Sequence, residues 1–228
     1  RAMAKHSKRY RKAAELVDIE RHYSIPEAVE VLKKFPDTKF DETIEVAMNL
    51  GIDPRQADQQ IRGTISLPHG TGKTVSILVF AEGQQAEDAK AAGADFVGSA
   101  DLAKKIEGGW TDFDICIATT PMMRVVGKLG RVLGPQGKMP SPKSGTVTDD
   151  VGKAVSEFKG GKIEYRNDKT GNIHAPVGKK SFSTQAIIDN VEAFVNHIKA
   201  AKPSGAKGSF IKKAAVSTTM GPGIILGV

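Results

Sequence analysis

Two glycine-rich breaks constrain this chain more than any other feature. The first is Pro68-His69-Gly70-Thr71-Gly72 and the second is Gly160-Gly161. Between them, short apolar runs alternate with helical patterns: Val75 to Ala81, Asp95 to Val97 and Asp114 to Thr119 read as strands. Gln84 to Ala92, Asp101 to Ile106, Pro121 to Leu133 and Val151 to Phe158 read as helices. Short buried strands separated by helices predict a parallel, Rossmann-like sheet. Outside the breaks the character changes. Ile44, Val46, Met48 and Leu50 alternate with polar or small residues, which predicts a half-buried strand. Phe210 to Thr218 alternates in the same way.

The charge distribution follows the same division. Of the formal net charge of +7, none falls on residues 68–159, which carry 11 basic and 11 acidic residues. The excess lies in residues 1–67 (12 against 11) and 160–228 (10 against 4). The expectation is therefore two α/β domains. One is a discontinuous α+β (split β-α-β) domain, 1–67 plus 160–228. The other is an inserted domain, 68–159, with hinges near 68–72 and 159–161. A basic surface on the discontinuous domain suits a nucleic-acid partner.

Local signals fill in the discontinuous domain. Ser24-Ile25-Pro26-Glu27 has the residue types of a capping box before an amphipathic helix that stops ahead of Pro36. Lys162 to Arg166 and Ile173 to Val177 read as strands flanking the turn Asp168-Lys169-Thr170-Gly171, a plain hairpin turn on its own terms. Ser183 or Thr184 caps a long helix with Ile187, Val191, Phe194 and Ile198 on one face. The arm from Arg1 to Lys12 has six basic residues and no acid. Arg1-Ala2 ahead of Met3 reads as a tag remnant.

Several function classes find little support. His69-Gly70-Thr71-Gly72-Lys73-Thr74 invites comparison with a phosphate-cradling loop, but Leu67 stands where its first glycine belongs and a strand follows in place of a helix. No GxGxxG opens a helix after a strand. The five histidines lack ligand spacing, and Cys116 has no cysteine partner, so neither a metal site nor an internal disulfide is expected. No catalytic constellation emerges, and no cofactor is expected. No run of 18 apolar residues suggests a membrane span. A single cysteine fits a reducing, cytoplasmic setting.

The segment from Arg124 to Thr148 is the clearest functional signal. It holds Arg124, Lys128, Arg131, Lys138 and Lys143, and no acid occurs between Asp114 and Asp149. Its glycines and prolines predict a helix ending at Gly134-Pro135, then a rigid cationic loop suited to phosphate. KFDETIEV places Phe40 beside Lys39, three residues before Thr43. The bare residues favour Phe40 as core; an exposed aromatic beside lysine suits a base and its phosphate. Thr218-Thr219-Met220-Gly221-Pro222 follows a strand and turns sharply.

LGRVLGPQGKMPSPKSGTV (129–147), KFDETIEV (39–46), RNDKTGNIHAPVGK (166–179) and TTMGP (218–222) occur together and in order. The chain on these grounds resembles the bacterial large-subunit ribosomal protein L-one family, from about Met3 to Gly221. That resemblance implies a non-enzymatic RNA-binding protein, monomeric when free, on the large subunit. It implies three partners: the stalk of the large-subunit rRNA, exit-site tRNA whose release it assists, and the protein's own operon mRNA, whose translation it represses. It further implies RNA contacts at Lys39, Phe40, Thr43, Arg166, Asp168, Lys169, Thr170, His174, Thr219, Met220 and Gly221. A secondary RNA or tRNA contact falls on Arg124, Lys128, Arg131 and Lys138. Two alternatives stay open: an α/β nucleotide-binding enzyme, and a non-specific basic nucleic-acid binder.

Overall fold

The computed structural model describes residues 6–56, 58–206 and 208–228. Arg1, Ala2, Lys5 and the start of the basic arm lie outside the described residues. Along the chain the elements are α1 (Lys8–Ala14), α2 (Ile25–Lys33), β1 (Thr43–Leu50), β2 (Arg62–Ser66), β3 (Ile77–Phe80) and α3 (Gln84–Ala91). Next come β4 (Phe96–Gly98), α4 (Ala100–Glu107), β5 (Ile115–Ala118), α5 (Met123–Val126), α6 (Gly130–Leu133) and α7 (Val151–Lys159). The last are β6 (Lys162–Arg166), β7 (Asn172–Lys179), α8 (Thr184–Ala200), β8 (Ile211–Thr218) and β9 (Ile224–Leu226). The class is mixed α/β. The chain divides into two compact units, Arg1–Gly72 with Ile163–Val228, and Lys73–Lys162.

The first unit is built on a four-stranded sheet of order β7-β1-β8-β9, with its described pairings antiparallel. Ile44, Val46, Met48 and Leu50 of β1 point to one face and are buried. They meet Ala28, Val29 and Leu32 of α2 and Ile187, Val191, Phe194 and Ile198 of α8 in a single core. This is the period-2 strand against period-3.6 helix arrangement that the sequence pattern predicts. The helix starts are capped as read. Glu27 accepts the Ser24 amide at 3.1 Å, and the Ser183 hydroxyl accepts the Ala186 amide at 3.2 Å. The opposite sheet face is uncovered: Glu45, His174 and Pro176 are exposed, with Ala47, Ala215 and Ser217 half-buried.

Pro68–Gly70 is fastened to this unit by one buried side chain. Asn190 Oδ1 accepts the His69 amide at 3.1 Å, and its Nδ2 donates to the carbonyls of Gly70 at 2.9 Å and Val177 at 2.8 Å. Gly72 follows with φ of 69°, where a Cβ would sit 2.8 Å from the Phe182 ring. Only glycine fits there.

The second unit is a three-stranded parallel sheet of order β4-β3-β5. Leu78 and Phe80 of β3 belong to a cluster on one face with Leu102, Ile106, Val126 and Leu133. Ile77 and Val79 belong to a cluster on the other face with Ala89, Val155 and Phe158. Burial on both faces is why this strand reads as an unbroken apolar run rather than an alternation.

Three local readings change. Lys162–Arg166 and Ile173–Val177 do not form a hairpin, because β6 pairs with β2 while β7 pairs with β1. The single helix expected over Pro121 to Leu133 is broken into α5, a 3-10 turn at Gly127–Leu129, and α6. Gly127 and Gly130 stand at the joints, where their low helix propensity favours the tighter turn. β1 begins at Thr43, so Phe40 lies in the loop ahead of the strand. Two elements escaped the pattern: α1 in the basic arm and β9 in the tail.

Candidate RNA interface

Antiparallel pairing places the ends of three strands at one corner of the first unit. Thr43 opposes Lys179 across β1 and β7, and Ile44 opposes Thr218 across β1 and β8. The Thr43 amide donates to the Thr219 hydroxyl at 3.0 Å, and the Thr219 amide donates to the Thr43 carbonyl at 3.0 Å. Lys179 Nζ donates to the Thr43 hydroxyl at 2.8 Å. Around this clasp stand two exposed large apolar side chains, Phe40 at 53% and Met220 at 48% exposure. Exposure overrides the core reading of Phe40. Lys39 is exposed and makes no ion pair among the described residues.

Gly221 joins this corner for an internal reason. A Cβ there would lie 2.5 Å from Thr218 Oγ1 and 2.8 Å from two Phe35 ring carbons. The glycine lets the turn pack against Phe35. Thr218 Oγ1 is buried and is the one such side-chain polar atom without a hydrogen bond among the described residues.

Asp168, Lys169 and Thr170 gather at the far end of the same sheet, near the Asn49–Asn172 pair. Asn49 lies six residue steps along β1 from Thr43, about 20 Å at the rise of a strand. Asp168 is fully engaged there. Its carboxylate accepts from the Thr170 amide and hydroxyl and the Asn172 amide at 2.8 Å, and from Asn172 Nδ2 at 3.1 Å. The Asn172 amide first, then the Thr170 and Asn172 side chains, hold its pKa well below the usual carboxylate range against some desolvation. Asp168 shapes the loop and leaves Lys169 exposed. Asn172 Nδ2 also donates to Thr170 Oγ1 and Asn49 Nδ2 to Asn172 Oδ1, both at 2.7 Å, so the whole loop is tied to β1.

His174 lies exposed on β7 opposite Ala47, between the two ends. The outer face thus runs from Thr219 to Lys169 through Ser217, Glu45, Ala47 and His174. Arg166 is exposed but belongs to β6, in the separate two-stranded sheet. Chain order alone does not show that β6 and β7 join different sheets, which is why the sequence placed Arg166 and Asp168 on one hairpin.

In the second unit Arg124, Lys128 and Arg131 are exposed and make no ion pair among the described residues. Lys138 differs. Its Nζ donates to the Thr111 carbonyl at 2.8 Å and lies 5.0 Å from the Phe113 ring centre, so it is spent on the fold. Nucleotides on a doubly wound sheet sit where strand order reverses, here between the carboxyl ends of β3 and β5. That edge presents Glu82, Asp149 and Asp150, all exposed. Carboxylates repel phosphate, which disfavours the nucleotide-enzyme alternative. Lys73 of the loop-like motif pairs with Asp114 at 2.6 Å. Cys116 is buried, and desolvation pushes its thiol far up, which makes it unreactive. Among the described residues no group of three or more His, Cys, Asp or Glu could hold a metal, and no helix is long and apolar enough to cross a membrane.

A family model described as "Ribosomal protein L1p/L10e family" matches residues 32–222. A protein named "Large ribosomal subunit protein uL1" from Kosmotoga olearia is 58% identical over 224 residues, covering 98% of this chain and 97% of that protein. Proteins of the same name from Fervidobacterium nodosum and Thermosipho africanus are 58% and 57% identical, covering 98% and 97% of this chain and 96% of each relative.

Proposed function

The chain belongs to the ribosomal protein L1p/L10e family, a family of ribosomal proteins rather than enzymes, and from that premise we propose how its surface is used. The first unit binds the stalk of the large-subunit rRNA. The observation that carries this reading is the corner where exposed Phe40 and Met220 flank Lys39 and the Thr43–Thr219 clasp. Each group suits RNA. Phe40 offers a stacking face, Met220 a soft contact for a ribose or base, Lys39 a phosphate partner. The open sheet face continues the contact toward Lys169, and Thr170 and His174 line its far half. Glu45 on the same face and the internal bonding of Asp168 support selection of the RNA by shape and ribose contacts rather than by charge alone. A merely basic surface lacks that selection.

The same corner, by family resemblance, recognises a similar fold in the protein's own mRNA and represses its translation. In the second unit, Arg124, Lys128 and Arg131 form a cationic stripe that meets tRNA at the exit site and assists its release. The test is binding to a stalk-rRNA fragment and to a scrambled RNA of equal length across a salt series. A preference for the stalk that persists at high salt supports the reading. Equal, salt-labile binding to both would reject it in favour of a non-specific binder.

A further inference from the structure

Resting on the reading that the Lys39–Phe40 loop meets RNA, we propose that Lys33 and Lys180 are positioning residues for recognition: a reciprocal lysine splint that holds this loop in its binding shape. The loop from Lys34 to Glu42 has no regular structure, so its shape must come from side chains. Lys33, at the end of α2, crosses to donate to the Lys180 and Phe182 carbonyls. Lys180 crosses in the opposite sense: its Nζ donates to the Phe35 carbonyl and to Asp37, each at 2.8 Å. The Lys180 amide donates to the Glu42 carbonyl at 2.8 Å. Its neighbour Ser181 donates to Asp41 from both amide and hydroxyl, at 3.1 and 2.7 Å. Residues 180–182 thus grip the loop at Phe35, Asp37, Asp41 and Glu42, on both sides of Lys39 and Phe40. The loop closes on itself where Thr38 donates to the Phe40 carbonyl at 2.6 Å.

Neither splint lysine is placed to neutralise phosphate. The Lys180 side chain is 12% exposed and already holds a carboxylate and a carbonyl. Burial, then the neighbouring Lys180 charge, lowers the pKa of Lys33 from the ordinary lysine range. Two ammonium groups share one crevice because orphan carbonyls at the end of α2 and in the 180–182 turn need donors. Lys39, exposed between them, keeps its charge for solvent or a ligand.

The roles separate by salt dependence. A phosphate-contacting lysine changes the slope of log affinity against log salt by about one when removed, whereas a positioning residue lowers affinity at unchanged slope. The experiment measures stalk-RNA binding across a potassium chloride series for Lys39→Met, Lys180→Met, Lys33→Met and Lys180→Arg. The splint predicts that Lys39→Met flattens the slope by about one. Lys180→Met weakens binding by about tenfold with the wild-type slope, and Lys180→Arg, whose guanidinium donates to both Phe35 and Asp37, restores most of the affinity. Unchanged affinity in Lys180→Met, or a slope loss equal to that of Lys39→Met, overturns it. Should Lys180→Met fail to fold, Lys33→Met and Asp37→Asn carry the same comparison. Exchange of the amides of residues 180 and 181, which the Glu42 carbonyl and the Asp41 carboxylate hold, isolates the splint from the RNA reading when measured in the RNA-free protein. That exchange rises about tenfold in Lys180→Met if the splint holds the loop, and unchanged exchange overturns the proposal whatever the RNA result. If wild type shows no stalk preference, the functional reading fails and the recognition role fails with it, even where exchange rises.

Discussion

The Thr43 amide donates to the Thr219 hydroxyl at 3.0 Å, and the Thr219 amide donates back to the Thr43 carbonyl at the same distance. One exposed threonine therefore extends the β1–β8 ladder beyond the last regular pair and fixes where Met220 stands. Thr219→Ala should lose the hydroxyl bond at a cost of about 0.5–1.5 kcal/mol, since the freed amide reaches water. Its stalk-RNA affinity should fall, together with that of Met220→Ala, by about fivefold or more. Phe40→Ala should lose about 1–3 kcal/mol of binding, the usual worth of a stacked base. Calorimetry for affinity and urea melts for stability check all three. Unchanged affinity in folded variants would sink the corner as the contact.

Gly221→Ala tests packing rather than contact. Its methyl would meet Phe35 and Thr218 at 2.8 and 2.5 Å. Overpacking of that kind costs about 1–3 kcal/mol, so the urea midpoint should drop. A wild-type midpoint would show that the turn relaxes freely.

Asp168 supplies a pH dependence. Its pKa is held below the ordinary carboxylate value mainly by the Asn172 amide. The folded state therefore binds fewer protons, and the contribution is fully present above the unfolded value of about 3.9. It is lost as pH falls from there toward the folded value. Asp168→Asn should flatten the stability profile in that acidic window while changing little of its slope near neutrality. Parallel acid profiles for the two proteins would contradict the assignment.

The cationic residues of the second unit should divide by role. Arg124→Ala, Lys128→Ala and Arg131→Ala together should leave stability within about 0.5 kcal/mol per site, because each is exposed. They should weaken tRNA binding and reduce its salt slope by up to about three. Lys138→Ala should instead cost about 1–2 kcal/mol of stability through its lost carbonyl and ring contacts. Thermal melts beside tRNA titrations distinguish the two groups.

The sequence carried the elements whose period is imposed by burial: β1, β8, α2 and α8 follow the alternation and amphipathic faces read from Ile44 to Leu50 and Ile187 to Ile198. Legibility ended where partners are distant. Lys33 and Lys180 are 147 positions apart and count in the chain only as two more positive charges, yet both are absorbed by carbonyls. Arg166 and Ile173 look like facing arms of one hairpin on paper, but β6 and β7 belong to different sheets. Gly221 and Asp168 were read as facing a ligand, while Phe35, Thr170 and Asn172 give each an internal reason. Exposure of Phe40 depended on its place in the loop ahead of β1, where no alternation fixes which way a side chain faces.

The placement of β1 has a consequence for synthesis. Its two sheet neighbours are β7 and β8, so its central position stays unpaired until both have been made. About 160 residues separate the end of β1 from the start of β8, roughly 8–30 seconds of elongation at ordinary rates. The Lys73–Lys162 unit is complete well before then and is free to fold first. A nascent chain would therefore carry a finished middle and an apolar, waiting β1 strand ahead of it, exposed to chaperones until the last fifty residues emerge.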